Sequence, residues 1–196
     1  MKSVDRVLQA WRCRMANRWI PDGARVLDVG CHQGEFLESL AERIGPSVGI
    51  DPLAQTTERR QVRILAETFR RPLPFAESSF DVIVMLATLE HIKDKEPLAD
   101  ECFRLLSQGG RVVITVPAKV VDRIVEVLVK LRLADGMSLD EHHGYDPTET
   151  PAVFAPFGFE LEYHRRFQLG CNHLFVLRRS ERERNPSNEM SSVLSV

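Results

Sequence analysis

Apolar positions along the chain follow two rhythms. Short, nearly unbroken apolar stretches occur at Val26, Leu27 and Val29, at Val48 to Ile50, at Val62 to Ala66, at Phe80 to Leu86 and at Val112 to Val116. Such stretches suit strands covered on both faces, the condition of a parallel sheet. Between them, Phe36, Leu37, Leu40 and Ile44, and then Leu98, Cys102, Leu105 and Leu106, recur at the spacing of an amphipathic helix. Strand, helix and strand therefore alternate, which predicts an α/β domain with a doubly wound sheet and helices on both faces.

The ends of the pattern differ from its middle. Residues 3–20 place Val4, Val7, Leu8, Trp11, Met15 and Trp19 on one stripe, a leading helix packed on the sheet, and Pro21-Asp22-Gly23 ends it. After Asp51 there is room for only a turn or two of helix, around Thr57 to Gln61, before the strand at Val62. Near the other end, Phe159, Leu161 and Tyr163 alternate with polar residues, Gln168 to Asn172 reads as a turn, and His173 to Leu177 returns as a strand. That antiparallel hairpin brings the expected count to seven strands. Val120, Val121, Ile124, Val125, Leu128 and Leu131 form a helical stripe that Val127 and Val129 widen. It reads as a lid, a dimer contact or core. Residues 1–180 are expected to form one domain, with 119–146 as a lid or acceptor segment, and the polar stretch 181–196 as a disordered tail.

Composition narrows the class without choosing a function. With 43% hydrophobic and 28% charged residues, the 196-residue chain fits a soluble globular domain. A net charge of −2 gives no global sign of a nucleic-acid or membrane partner. Lys2, Arg6, Arg12, Arg14 and Arg18 face only Asp5 near the N-terminus, read as a solvated helix face. Four cysteines without a C-x-x-C pair fit thiols in a reducing compartment, so the expected location is the cytoplasm, with no structural zinc.

The candidate chemistry concentrates where the first strand stops. Asp28-Val29-Gly30-Cys31-His32-Gln33-Gly34 is a carboxylate followed by a loop with two glycines that opens a helix. Glycine there permits backbone angles closed to other residues, and the helix start presents unpaired N–H groups. The nicotinamide-type fingerprint would need glycines where His32 and Glu35 stand. Asp51, at the tip of the second strand, lies near the position, about 20 residues beyond the glycine loop, from which an acid accepts hydrogen bonds from ribose hydroxyls. Asp51-Pro52 also reads as the start of a turn. Both readings favour a nucleoside ligand.

The motif at residues 28–34 resembles the D-x-G-x-G-x-G loop of class I S-adenosylmethionine-dependent methyltransferases, with His32 in place of the middle glycine. Four further stretches and their order match the small-molecule members of that family: Pro72-Leu-Pro-Phe75, then Ser78-Ser-Phe-Asp81-Val-Ile-Val-Met-Leu86, then Leu89-Glu-His-Ile92, then Leu105-Leu-Ser-Gln-Gly-Gly110-Arg-Val-Val-Ile-Thr115. The resemblance implies a single Rossmann-like domain, S-adenosylmethionine as cofactor and methyl transfer to an oxygen or nitrogen of a small molecule. It also implies cofactor contacts from Asp28, Gly30, His32, Gly34, Asp51 and Pro52, adenine contacts from Glu67 and Phe69, and a wall formed by Met85, Leu86 and Ala87. His91 then falls on the acceptor side, where it also reads as a structural histidine satisfying the corner's backbone.

Asp140-Glu-His-His-Gly-Tyr-Asp146 resembles the family's acceptor-facing EHHxxY region, which makes His143 and His142 candidate bases and Tyr145 an acceptor-side residue. The same cluster invites a metal reading, but adjacent histidines do not share a helix face, and no metal is assigned. Two other functions stay open at this point. One is a non-catalytic cofactor-binding or structural partner domain, motivated by His32 and the short 52–61 segment. The other is a nicotinamide or nucleotide-sugar oxidoreductase. The chain is expected to act as a monomer or homodimer, without nucleic acid or membrane.

Overall fold

The computed structural model describes residues 3–118 and 145–181. The widened stripe at 119–133, the candidate bases His142 and His143, and the expected tail from 182 onward lie outside the described residues.

Eight strands among the described residues form one sheet in the order β3-β4-β2-β1-β5-β6-β8-β7. β1 (Val26–Val29), β2 (Ser47–Ile50), β4 (Val62–Leu65), β5 (Phe80–Leu86) and β6 (Leu106–Pro117) are parallel neighbours. All four residues of β1 are buried, as its apolar run requires. The antiparallel pair β7 (Phe159–Phe167) and β8 (Asn172–Arg179) closes one edge, β8 lying against β6. The predicted doubly wound sheet with its terminal hairpin is present.

The eighth strand is β3 (Thr57–Arg59), where a short helix was expected. It runs antiparallel to β4, with Thr57 opposite Ile64 and Arg59 opposite Val62. Arg60 takes a left-handed backbone (φ 55°), which turns the hairpin, and the Gln61 side chain donates to the carbonyls of Ala41 and Ile44. Three residues ahead of so tight a turn cannot complete a helical turn, whereas they can pair with β4. β6 also starts earlier than the apolar run suggested. The helix before it ends at Leu105 and the strand begins at once, with register slipping between Phe80 and Val82 to accommodate residues 107–110.

Two apolar layers sandwich the sheet. On one face α3 (Lys95–Leu105) and α4 (Thr150–Phe154) bring Leu98, Phe103 and Phe154 against Ile83, Ile114 and Phe175. On the other, α1 (Ser3–Asn17) and α2 (Glu35–Leu40) bring Met15, Phe36 and Leu37 against Val82, Val113 and Val176. The leading helix departs from expectation in its first half. Met15 is buried and Trp19 packs on Tyr163 at 5.0 Å, but Val7 is 64% and Trp11 42% exposed. Trp11 reaches only the rim of the sheet at Phe167, where β7 ends, so the first half of α1 overhangs the turn instead of the core.

At the amino ends of the central strands Arg25 clasps Asp81 through its backbone N–H (2.9 Å), Nε (3.0 Å) and Nη2 (2.8 Å), and Ser107 Oγ donates to the same carboxylate. This pins β1 to β5 at one end. The other end is left to a cavity.

Candidate active site

Chain order winds outward in opposite directions from β1, through β2 and β4 on one side and through β5 and β6 on the other. Ligands in such sheets bind beyond the carboxyl ends of the strands at this reversal. A cavity of about 620 Å³ occupies that place, lined by residues following β1 (Gly30), β2 (Asp51, Pro52, Leu53), β4 (Glu67 to Arg71) and β5 (Ala87, Thr88, His91 to Asp94). Its size suits a nucleoside-sized or larger ligand.

The β1 wall is set by backbone geometry. Gly30 has φ 78°, and a Cβ there would overlap Thr88 Oγ1 and lie 2.5 Å from its Cγ2. Only a glycine lets the two loops touch. Gly34 (φ 86°) has the same role one layer down, where a Cβ would lie 2.5 Å from Ile64 Cδ1. His32 also takes a left-handed backbone, φ 52°, which costs a non-glycine residue about 1 kcal/mol or more. Its backbone N–H donates to Asp51 Oδ2 at 2.9 Å, and Leu53 N–H donates to Oδ1 at 2.8 Å. The imidazole turns outward to Glu35, with Nδ1 3.0 Å from Oε1, and does not line the cavity. The substitution of the middle glycine thus leaves the cavity wall without an imidazole. Asp51 is aimed by two backbone donors, and each carboxylate oxygen keeps a lone pair for a ligand hydroxyl.

On the β5 side the carbonyl and hydroxyl oxygens of Thr115 both accept from Ala87 N–H, at 2.9 and 3.1 Å, holding Ala87 in a left-handed backbone (φ 57°) at the wall. Met85 is fully buried and Leu86 packs among the α1 and α2 side chains, so neither reaches the cavity; the wall there is Ala87 and Thr88. Glu67 pairs with Arg70 at 3.2 Å, and Phe69 leans on the core while facing the cavity. Asp28 is 2% exposed beneath the floor. Burial, and then the charges of Asp51 and Glu35, push its carboxyl up to about 7.

Of the predicted residues, Gly30, Asp51, Pro52, Glu67, Phe69, Ala87 and His91 line one cavity, while Asp28, His32, Gly34, Met85 and Leu86 stand behind it. Tyr145 is not on its wall: its hydroxyl lies 2.9 Å from Thr150 Oγ1, Lys95 Nζ sits 4.4 Å over its ring, and burial raises its pKa to about 12. Thr88, Leu53, Arg71 and Lys93 were not singled out from sequence, although Thr88 directly precedes the Leu89-Glu-His motif. Among the described residues no three His, Cys, Asp or Glu side chains cluster to hold a metal ion, and no helix is long and apolar enough to cross a membrane.

Comparison with known proteins decides the family. The methyltransferase domain family model matches residues 2–164. The chain belongs to this family. As a class I methyltransferase it takes S-adenosylmethionine as cofactor, and the residues present fit that group, with an aimed acid at the β2 tip, a second acid beyond β4 and a glycine-lined approach from β1. The chain is 30% identical over 166 residues to the ubiquinone biosynthesis O-methyltransferase of Psychrobacter cryohalolentis, covering 77% of this chain and 63% of that protein. The enzyme of the same name from Pseudomonas fluorescens is 36% identical over 104 residues, covering 46% of this chain and 43% of that one. The chain therefore spans less than two thirds of the length of these curated relatives. Among solved structures, the partner of the Haloferax volcanii Trm112 methyltransferase activator superposes with a TM-score of 0.70 at 16% identity, covering 87% of this chain and 90% of that one. An S-adenosylmethionine-dependent methyltransferase from Mesorhizobium loti gives 0.64 at 19%, covering 85% and 96%. At these identities the structures speak for the fold.

Proposed function

We propose that this methyltransferase moves the methyl group of S-adenosylmethionine to a hydroxyl oxygen of a small molecule. The observation that carries the reading is the Asp51 carboxylate, aimed by His32 N–H and Leu53 N–H into the same cavity that Ala87 and Thr88 wall on the far side. The preference for oxygen over nitrogen rests on relatives named as O-methyltransferases. S-adenosylmethionine, held by Asp51, Glu67 and Phe69, would supply an electrophilic methyl on its sulfonium for direct displacement by the acceptor oxygen, the sulfur keeping the electron pair of the bond it loses.

The chain's contribution is placement. Asp51 would accept from the ribose hydroxyls, Glu67 from the adenine amino group, and Phe69 would cover the purine. Ionised Asp28 would stabilise the cationic end from below the floor. Orientation of this kind supplies much of the acceleration of a direct displacement. The acceptor proton needs a base near neutral pH, and His143 and His142 are the proposed ones, with His91 on the acceptor side and Tyr145 supporting that side from behind the wall. The protein is proposed to act in the cytoplasm as a monomer or homodimer.

The test is release of the demethylated cofactor from wild type and from His142→Ala, His143→Ala and Asp51→Ala, with a panel of hydroxylated and amine acceptors. Turnover with hydroxylated acceptors, reduced more than tenfold in Asp51→Ala, supports the reading. Tight cofactor binding with no turnover on any acceptor would favour a non-catalytic binding domain.

A further inference from the structure

The first half of α1 carries apolar side chains that the sheet leaves partly or largely exposed. Val7 is 64% exposed, Trp11 42% and Leu8 37%, and Leu169, in the turn joining β7 to β8, is 99% exposed. These belong to one patch. Gln168 Nε2 donates to the Leu8 carbonyl at 2.7 Å, which fixes the turn against the helix, and the Trp11 and Phe167 rings lie 6.4 Å apart.

The surround is cationic. Arg14 and Arg18 continue the exposed stripe of Val7 and Trp11 at helical spacing, and Arg6 flanks it. Arg165 joins them from β7: it projects from the same face as Tyr163 and Phe167, the two residues that meet Trp19 and Trp11. All four arginines are exposed, and none forms an ion pair with another described residue. A chain of net charge −2 has thus gathered around its exposed tryptophan positive charge that no described residue pairs. A protein partner for so basic a rim would need matching acids, and a second copy would present the same arginines across a two-fold contact, where like charges repel. A surface that is anionic at its face and apolar beneath satisfies both halves of the patch.

We propose that α1 and the 168–170 turn form a docking surface for an anionic lipid bilayer, with Trp11, Val7 and Leu169 entering the interface and the arginines meeting the headgroups. The helix lies in the interface plane; it does not span. Tryptophan suits that depth because its ring is apolar and its N–H stays near water. The turn sits beside the carboxyl end of β6, since Ala118 N–H donates to the Cys171 carbonyl at 2.9 Å. Docking therefore sets the cavity end of the sheet toward the bilayer.

The experiment uses the full chain with Trp19→Phe, so that Trp11 is the remaining one of two tryptophans. Co-sedimentation with phosphatidylcholine vesicles containing phosphatidylglycerol, and Trp11 emission on their addition, are compared with pure phosphatidylcholine. Expected are at least tenfold tighter binding to anionic vesicles, a blue shift of Trp11, weakening as salt rises, and at least tenfold loss in Val7→Ser/Leu169→Ser and in Arg14→Glu/Arg18→Glu. Unchanged far-ultraviolet circular dichroism and thermal midpoint keep the comparison among folded proteins. Trp11 shielded from a soluble quencher without vesicle binding would overturn the proposal, and sedimentation velocity would then tell a second copy from cover by this chain. Vesicle binding indifferent to both double variants would overturn it as well.

Discussion

His32 and Asp51 are joined through the backbone of one and the side chain of the other, the His32 N–H donating to Oδ2 at 2.9 Å. The imidazole takes no part. His32→Gly keeps the N–H and removes only a ring that points to Glu35. S-adenosylmethionine affinity should therefore change by less than about threefold, whereas Asp51→Ala should lose at least tenfold, the worth of roughly 1.5–3 kcal/mol for hydrogen bonds to a charged group. Calorimetric titration of the three proteins checks both. In stability, His32→Gly relieves a left-handed non-glycine residue but loosens the unfolded chain, so its thermal midpoint should stay within a few degrees of wild type.

The contact of the β1 and β5 loops should be sensitive to one methyl group. Gly30→Ala meets Thr88 and adopts a positive φ (78°), so it is expected to cost about 2–4 kcal/mol from overpacking and backbone strain together. Thr88→Gly on that background removes the clash and leaves the strain. Denaturant unfolding should show partial recovery in the double variant.

Asp28 links the cavity to pH. Its carboxyl titrates near 7 because burial, then Asp51 and Glu35, disfavour its charge. A cation bound above it favours the ionised form, so cofactor affinity should rise from pH 6 to pH 8 and level off beyond, with a proton released on binding at pH 6.5. Titration in buffers of different ionisation enthalpy reads that proton. Without ligand the sign reverses. A carboxyl whose folded pKa is raised holds a proton the unfolded chain gives up, so between pH 4 and 7 its contribution to stability falls as pH rises, by up to about 1.4 kcal/mol per pH unit. Asp28→Asn should flatten this slope and abolish the pH dependence of binding.

At the far end of the strands, Asp81 has its carboxyl lowered to about 2, chiefly by the hydrogen bond from Arg25. Its contribution is complete above pH 4 and fades as pH falls through 2. The pair is partly exposed, so solvent screening keeps the cost of Asp81→Asn to about 1 kcal/mol at pH 7. Urea unfolding at pH 7 and pH 3 should show the difference shrinking with acid.

Most of the sheet was legible because buried parallel strands announce themselves as apolar runs, and Val26 to Val29 and Phe80 to Leu86 each became one. The hairpin β3–β4 was not, because it is set by the left-handed Arg60 and a Gln61 side chain, neither of which has an apolar signature. Within the site, Gly30 and Asp51 could be located from motif spacing, since each sits at a strand tip. Met85 and Ala87 could not be told apart. Which residue of an apolar strand end faces the cavity depends on where the chain leaves the sheet, and that is fixed by the bonds from Ala87 to Thr115. The stripe on α1 misled for a related reason: its periodicity was right, but the sheet stops at Phe167 before it can cover Val7.

The touching of Gly30 and Thr88 has a bearing on how a ligand enters. Loops already locked together before binding have little motion left to surrender, so the association should carry a small ordering penalty and follow simple one-step kinetics. Release of spent cofactor would likewise not wait on any folding or unfolding of the β1 loop around its guest.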